Sequence, residues 1–429
     1  MDNIPLDSEL QSTGLDLFTK PEYCDNFANY QDVTIQPLHP PADSDHTTYS
    51  FTVGGLNDRL YTALNTIKIV GRLRVLHHDD TPLEKNELVS TNALFPSSIF
   101  EHCSVFLNST PISDHGRGFP LKSYLNTNLS YQDSVKKTSL LADRFWSDSA
   151  GDSEIINKDE LTDSFKSRME YISESRDAFF CFQPQVDLLS TTKYLAPGIE
   201  LRLEFEKGNH NFALLSPNLD KRYKIRVFDI ALQTRRFTPS TSICLANEKR
   251  MMAGSPIYYP INRTSIRYRQ LHSGILSTTI PSLFSGQLPH HILICFLSNS
   301  QLSSLNHNPF IFHPHGLTKY SLIKNGATHP CQPISVGADD GDFIRGYKFF
   351  LDNIGLGGAN IDLGITPYDY FKKDFTLAFD LTCDSCMGAH GHRPESGVLD
   401  LKLEFLNPTP DPISLFILGE SIHYIIIKY

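Results

Sequence analysis

Apolar and polar residues alternate along most of this chain, in short runs separated by clusters of Gly, Pro, Asn and Ser. Residues 67–75 place Ile67, Ile69, Gly71, Leu73 and Val75 on one face and Lys68, Val70, Arg72 and Arg74 on the other. That period of two marks a half-buried strand. Runs of the same kind fall at 33–35, 47–53, 104–107, 179–183 and 199–205. They resume at 223–228, 268–271, 292–297, 320–323, 375–381, 399–405 and 414–418. Many short strands divided by turns predict sandwiches or barrels rather than a parallel α/β sheet. One stretch differs: Leu121, Tyr124, Leu125, Asn128 and Leu129 have helical spacing, with Pro120 at a plausible first turn.

The alternation also repeats. Glu200-Leu201-Arg202-Leu203-Glu204-Phe205 returns as Asp400-Leu401-Lys402-Leu403-Glu404-Phe405. Each copy follows a Gly and a β-branched residue, Gly198-Ile199 and Gly397-Val398, and each trails an apolar run that begins at an Asp, Asp177 or Asp374. Two matched elements in one order predict two similar β-rich halves. The length of 429 residues is too great for one core and fits two. The expected division is an N-terminal arm at 1–29, a first β unit at 30–215 with an insertion at about 119–175, and a second unit at 216–429.

Charge changes the picture in two places. Overall the chain is acidic, at −10, with 20% charged residues. This argues against a dedicated DNA-coating protein. Residues 143–187 hold eleven acids against five bases and few large aliphatics, which predicts a long surface excursion. Residues 221–269 hold eleven Lys/Arg against two acids, Asp229 and Glu248, interleaved with Tyr and Phe. That cluster fits three readings: a surface for nucleic-acid phosphates, a partner for the acidic excursion of a neighbouring subunit, or a solvated face. Arg235, Arg236, Arg263, Arg267 and Arg269 are its candidate interface or DNA-facing residues. Arg263 is also a candidate for pairing with a buried carboxylate.

The acidic start lacks the basic region and apolar core of a signal peptide. The apolar stretch at 413–427 is interrupted by Gly419, Glu420, Ser421 and His423 and is too short and polar to span a bilayer. Cytosolic synthesis without a membrane span is therefore expected. The eight cysteines are scattered, mostly in strand contexts, and read as small buried thiols.

Catalytic and metal chemistry find little support. Cys383-Asp384-Ser385-Cys386 followed by His390 and His392 has ligands for zinc. Only three residues separate Cys386 from His390, too few to wrap a metal, so a Gly-rich loop is expected. His313-Pro314-His315 lacks the following Glu of a cupin-type pair, and His77-His78 and His290-His291 are adjacent pairs that cannot easily share an ion. Gly355-Leu356-Gly357-Gly358 precedes no Lys-Ser/Thr, and no Gly-x-Ser-x-Gly elbow occurs. No catalytic residue, cofactor or metal is expected, and the chain is not read as an enzyme.

Several short segments, in order, resemble one family. They are Gly14-Leu15-Asp16-Leu17-Phe18, Tyr259-Pro260-Ile261-Asn262-Arg263, Phe284-Ser285-Gly286-Gln287-Leu288-Pro289, Asn308-Pro309-Phe310, and Ala378-Phe379-Asp380-Leu381-Thr382 leading into Gly388-Ala389-His390. The family is the major capsid protein of Polinton/Maverick elements and adintoviruses, with capsid-like reading frames of animal genomes. Its loop after the last motif usually carries one Cys, matching Cys386, so Cys383 looks extra.

The resemblance implies an all-β double jelly-roll, two eight-stranded sandwiches side by side with helical and loop insertions. It implies a homotrimer of six lobes that meets neighbouring trimers and a single jelly-roll penton protein. Such trimers tile an icosahedral shell around double-stranded DNA, so the chain's place would be the virion, with non-specific contact to packaged DNA. The insertion at 119–175 is expected in outer loops or the trimer contact. The rival readings are a two-sandwich carbohydrate- or receptor-binding protein, a domesticated host capsid-like protein, and a metal hydrolase or oxygenase using His313, His315, Cys386 or His390.

Overall fold

The computed structural model describes residues 26–39, 48–55, 59–114, 116–146, 154–337, 343–388 and 391–428. The expected arm as far as residue 25, the segment Gly14 to Phe18, the acidic Asp148 to Asp152, and Ala389 and His390 lie outside them.

Among the described residues, sixteen strands in four four-stranded sheets carry the fold, beside a short pairing of Ser90–Thr91 with Leu214–Leu215. The first eight are β1 (Phe27–Ile35), β2 (Thr48–Val53), β3 (Tyr61–His77), β4 (Phe100–Leu107), β5 (Thr110–Asp114), β6 (Ala178–Phe182), β7 (Leu201–Lys207) and β8 (Tyr223–Pro239). The second eight are β9 (Ile257–Leu271), β10 (Ser277–Gln287), β11 (His291–Ser298), β12 (Leu317–Lys324), β13 (Ala327–Ser335), β14 (Thr376–Asp380), β15 (Ser396–Phe405) and β16 (Ile413–Ile427). They form antiparallel sheets of order β1-β8-β3-β6 and β2-β7-β4-β5, then β9-β16-β11-β14 and β10-β15-β12-β13. Numbered within each set of eight, both pairs of sheets read 1-8-3-6 and 2-7-4-5. That is one jelly-roll topology written twice, and the chain is an all-β double jelly-roll.

The repeated sequence lies where this symmetry requires. β7 and β15 are both seventh strands. Leu203 faces Phe51 and Val105, and Leu403 faces Thr278 and Tyr320. The Leu and Phe positions of both copies are buried. The charged positions pair along the strand, Arg202 Nε to Glu204 at 3.5 Å and Lys402 Nζ to Glu404 at 2.8 Å. The preceding apolar runs became the sixth strands, β6 and β14.

Four expectations are corrected. Residues 223–228 were expected to open the second unit, yet β8 pairs with β1 and β3 and completes the first roll. β1 begins at Phe27 rather than Val33, because Phe27 registers with Pro239 and packs on Phe237 and Tyr194. β10 and β13 escaped the sequence pattern. Both are outer strands of their sheet, where Pro281, Pro330 and Pro333 are tolerated and alternation is weak.

The fourth correction concerns the excursion at 119–175. Its first part forms α1 (Phe119–Ser130), nine of whose twelve residues are buried. Phe119 joins the core of the first roll, while Leu121, Tyr124 and Leu125 join that of the second. Tyr124 stacks on Phe310 with ring centroids 4.3 Å apart. A surface helix shows one apolar stripe; this one is wedged between two sandwiches and needs apolar residues on opposite sides. The exchange is mutual, since Tyr259, Ile261 and Leu305 lie in the first roll's core.

The acidic part is also anchored. Ile155 bridges to His307, and Asn308 donates its backbone N–H to the Glu154 carbonyl at 2.7 Å. Beyond it, α2 (Asp163–Ile172) buries Phe165, Arg168 and Ile172. Thr162 caps this helix by accepting from the Phe165 N–H. The rolls are joined in sequence by α3 (Thr241–Met252), which buries no residue.

Candidate functional site

The seam between the rolls holds two buried polar clusters. In one, Lys122 of α1 meets the Asp187 carboxylate, which also accepts the Thr264 N–H and hydroxyl, both at 2.9 Å. Asp187 sits in the connection between β6 and β7, and Thr264 sits in β9, so three parts of the chain share one carboxylate. In the other, Lys136 donates to Asn128 Oδ1 and the Leu363 carbonyl, both at 2.8 Å. Asn128 Nδ2 in turn donates to Asp374 at 2.9 Å. Burial pushes the Lys136 ammonium down to about 8. It also raises the Asp374 carboxyl, because burial disfavours the charged form of each.

The five candidate arginines do not form one patch. Arg236 is buried and donates to Thr62 Oγ1 at 3.2 Å and the Leu60 carbonyl at 3.3 Å. Arg235 is on the surface, paired with Asp32 at 2.7 and 3.1 Å and lying 4.7 Å from the Tyr30 ring centre. Arg267 donates to the Leu283 carbonyl at 2.7 Å and covers Phe284 at 4.5 Å. Arg269 is exposed and donates to the neighbouring Tyr268 carbonyl at 3.2 Å. Arg263 is exposed opposite Ser421. Among the described residues it pairs with no buried carboxylate; its sequence neighbour Thr264 instead holds the buried Asp187 together with Lys122. Elsewhere in the basic stretch, Lys221 meets Glu87 at 2.8 Å and Lys224 meets Asp80 at 2.7 Å.

Exposed apolar surface is more concentrated. On the outer face of β9 and β16, Tyr258 opposes Ile426 and Pro260 opposes Tyr424, all four exposed. α3 adds exposed Leu245 and Met252. On the first roll the corresponding strand pair, β1 and β8, exposes Phe27 and Tyr30. The sequence pattern did not single out these positions, because alternation shows that one face is buried and is silent about what covers the other.

Among the histidines, His313 and His315 stack edge to face with centroids 6.2 Å apart. Burial lowers both, and the nearest carboxylate to His313 is Glu154 at 3.7 Å. The Glu154 carboxylate is held more closely by the Ser298 hydroxyl, which donates to it at 2.8 Å.

The loop between β14 and β15 is built otherwise. The Asp380 carboxylate accepts from the Thr382 N–H at 2.9 Å, its hydroxyl at 2.7 Å, and the Met387 N–H at 3.0 Å. The chain then turns through left-handed Ser385, Met387 and Gly388. This brings Cys386 Sγ to 2.9 Å from His392 Nε2, with Asp384 at 3.1 Å from the same nitrogen. Cys383 Sγ is 3.9 Å from His392 Nδ1. A Gly-rich loop is expected here from the spacing to His390; the residue beside the two thiols is His392. The group borders a cleft of about 810 Å³ that His290 and Glu395 also line.

Paired eight-stranded rolls in one chain define a class, and solved structures of that class match over nearly the whole length. A chain of the Sputnik virophage particle superposes with a TM-score of 0.58 at 13% identity, covering 98% of this chain and 92% of that one. The Faustovirus major capsid protein gives 0.57 at 8%, covering 96% and 92%. The mavirus major capsid protein gives 0.53 at 9%, covering 99% and 94%. An uncharacterized protein of Caenorhabditis elegans, F54H12.2, is 20% identical over 346 residues, 78% of this chain and 80% of its own length. No family model matches.

Proposed function

We propose that this chain is a major capsid protein of the Polinton and adintovirus kind, whose work is assembly rather than catalysis. The observation that carries this is the end-to-end likeness to viral major capsid proteins, with neither partner contributing a large unmatched domain. The units we assign are a first roll ending at β8 and a second beginning at β9, with α3 between them. Three chains form a six-lobed trimer, and trimers tile an icosahedral shell around double-stranded DNA, with a single jelly-roll protein at the vertices. The stripe Tyr258, Pro260, Tyr424 and Ile426, together with α3, supplies apolar surface to such a trimer. Obligate interfaces commonly bury more than about 2,000 Å² in total. Exposed Arg263 and Arg269 are left for neighbouring subunits or packaged DNA.

Electron microscopy of the purified protein with its solution mass is the test. Six-lobed particles at three times the 48.4 kDa chain mass, or closed shells, are expected. A monomer that persists at every salt concentration and pH would overturn the proposal and favour a carbohydrate- or receptor-binding protein. The similarity to a nematode protein favours a second reading of origin, a capsid-like gene copy carried in an animal genome.

A further inference from the structure

The connection from β14 to β15 gathers two thiols, an imidazole and a carboxylate within a few residues of each other in space. The donor atoms of Cys383, Asp384 and His392 all lie within 4.8 Å of one another. Cys386 Sγ adds a fourth donor at 2.9 Å from His392 Nε2. Around a tetrahedral zinc, with bonds of about 2.3 Å to sulfur and about 2.0–2.1 Å to nitrogen, neighbouring donors stand about 3.3–3.8 Å apart. Cys386 Sγ at 2.9 Å and Asp384 at 3.1 Å stand just inside that range from His392 Nε2, whereas Cys383 Sγ lies 3.9 Å from Nδ1, so seating an ion on Nε2 calls for rotation of the Cys383 and His392 side chains.

The frame is preorganised by the backbone. The Cys386 N–H donates to Thr382 Oγ1 at 3.1 Å and to Asp384 Oδ1 at 3.3 Å, while Asp380 is occupied by three hydrogen bonds within the loop. Gly388 has φ of 78°, and a Cβ there would stand 2.5 Å from His290 Nε2, so the loop is seated closely on the start of β11. Cys383 and Asp384 are exposed, which gives an ion a path in.

We propose that Cys383, Cys386, His392 and Asp384 form a tetrahedral Zn²⁺ site that clips the connection between the sixth and seventh strands of the second roll. Two thiolates with an imidazole favour zinc over the hard cations magnesium and calcium. On binding, the two thiols release their protons to solvent, two Zn–S bonds form, and His392 donates the lone pair of neutral Nε2. Four protein donors leave no open position, so the site is structural.

The test uses the full chain, purified under reductant and loaded with zinc or with cobalt. Expected are about one zinc per chain after dialysis and, in the cobalt form, thiolate charge-transfer absorption with the strong visible bands of a tetrahedral site. Zinc should shield Cys383 and Cys386 from alkylation until a chelator is added. C383S, C386S and H392A should each bring metal content to background, while C331S, at an exposed thiol elsewhere, leaves it unchanged. Background zinc in the unaltered chain, a Cys383–Cys386 disulfide that survives reductant in place of metal, or cobalt bands that persist in the C383S/C386S double variant would overturn the site. None of these readouts depends on assembly, so they stand apart from the capsid proposal.

Discussion

The two rolls share a strand order but not a way of fastening their connections. In both, the longest excursion runs from the fifth strand to the sixth. In the first roll it carries α1 and α2 and is drawn into the seam. In the second it carries α4 (Phe343–Asn353) and α5 (Pro367–Lys372), where Phe350 and Tyr370 pack at 4.9 Å within that roll's own core. The next connection differs in the same sense. Asp187 of the first roll is satisfied by α1 and by β9 of the other roll, whereas Asp380 of the second is satisfied by its own loop. The sheets share one strand order, and both rolls send residues into the seam, the second through Leu363 and Asp374; the contrast lies in the connection from the sixth strand to the seventh, which crosses the seam in the first roll and closes on itself in the second.

That asymmetry can be broken at its strongest point. Lys122→Ala or Asp187→Ala leaves a buried charge without its partner and is expected to destabilise the chain by about 3–5 kcal/mol. Chemical denaturation measures this, and a loss confined to one transition would show that the rolls unfold separately. Next in size are Leu203→Ala and Leu403→Ala, at equivalent sites in β7 and β15. Each should lose about 2–5 kcal/mol, and the two losses should be alike. Unequal losses would show that the repeat is not equivalent in packing.

A smaller effect is set by pH. Lys136 titrates at about 8 in the fold against 10.5 as its ordinary value, so the unfolded chain holds more protons here between those values. Stability contributed at this site therefore rises with pH across that window, by at most about 1.4 kcal/mol per unit. The midpoint of the unaltered chain, measured relative to that of Lys136→Met, should rise between pH about 7.5 and about 9.5. Parallel midpoints would remove Lys136 as the cause. The least effect on folding is expected from Arg235→Glu, because its pair with Asp32 is on the surface. An unchanged unfolding midpoint with weakened trimers would place Arg235 at a subunit contact; unchanged trimers would exclude it.

The repeated strand was legible because burial of one face imposes alternation, and Leu203 and Leu403 report it equally. The seam was only partly legible. Helical spacing marked α1, yet its double-sided burial depends on a second sheet that begins more than a hundred residues later in sequence. Two of the five segments carrying the family resemblance reach across the seam, since Tyr259 enters the other roll's core and Phe310 stacks on α1, while Asp380 ties its own loop. The approach of Cys386 to His392 was not legible because spacing was counted to His390, and left-handed Ser385, Met387 and Gly388 are a property of the folded loop rather than of the spacing.

The position of α1 also bears on synthesis. A ribosome completes this helix, and all of the first roll, before Phe310 and the strands that cover Leu121, Tyr124 and Leu125 have emerged. For that interval the nascent chain presents an apolar face with no resident cover, the condition under which folding intermediates associate with one another or recruit chaperones. Crowding many such chains on one message would make that face the point at which premature clustering begins.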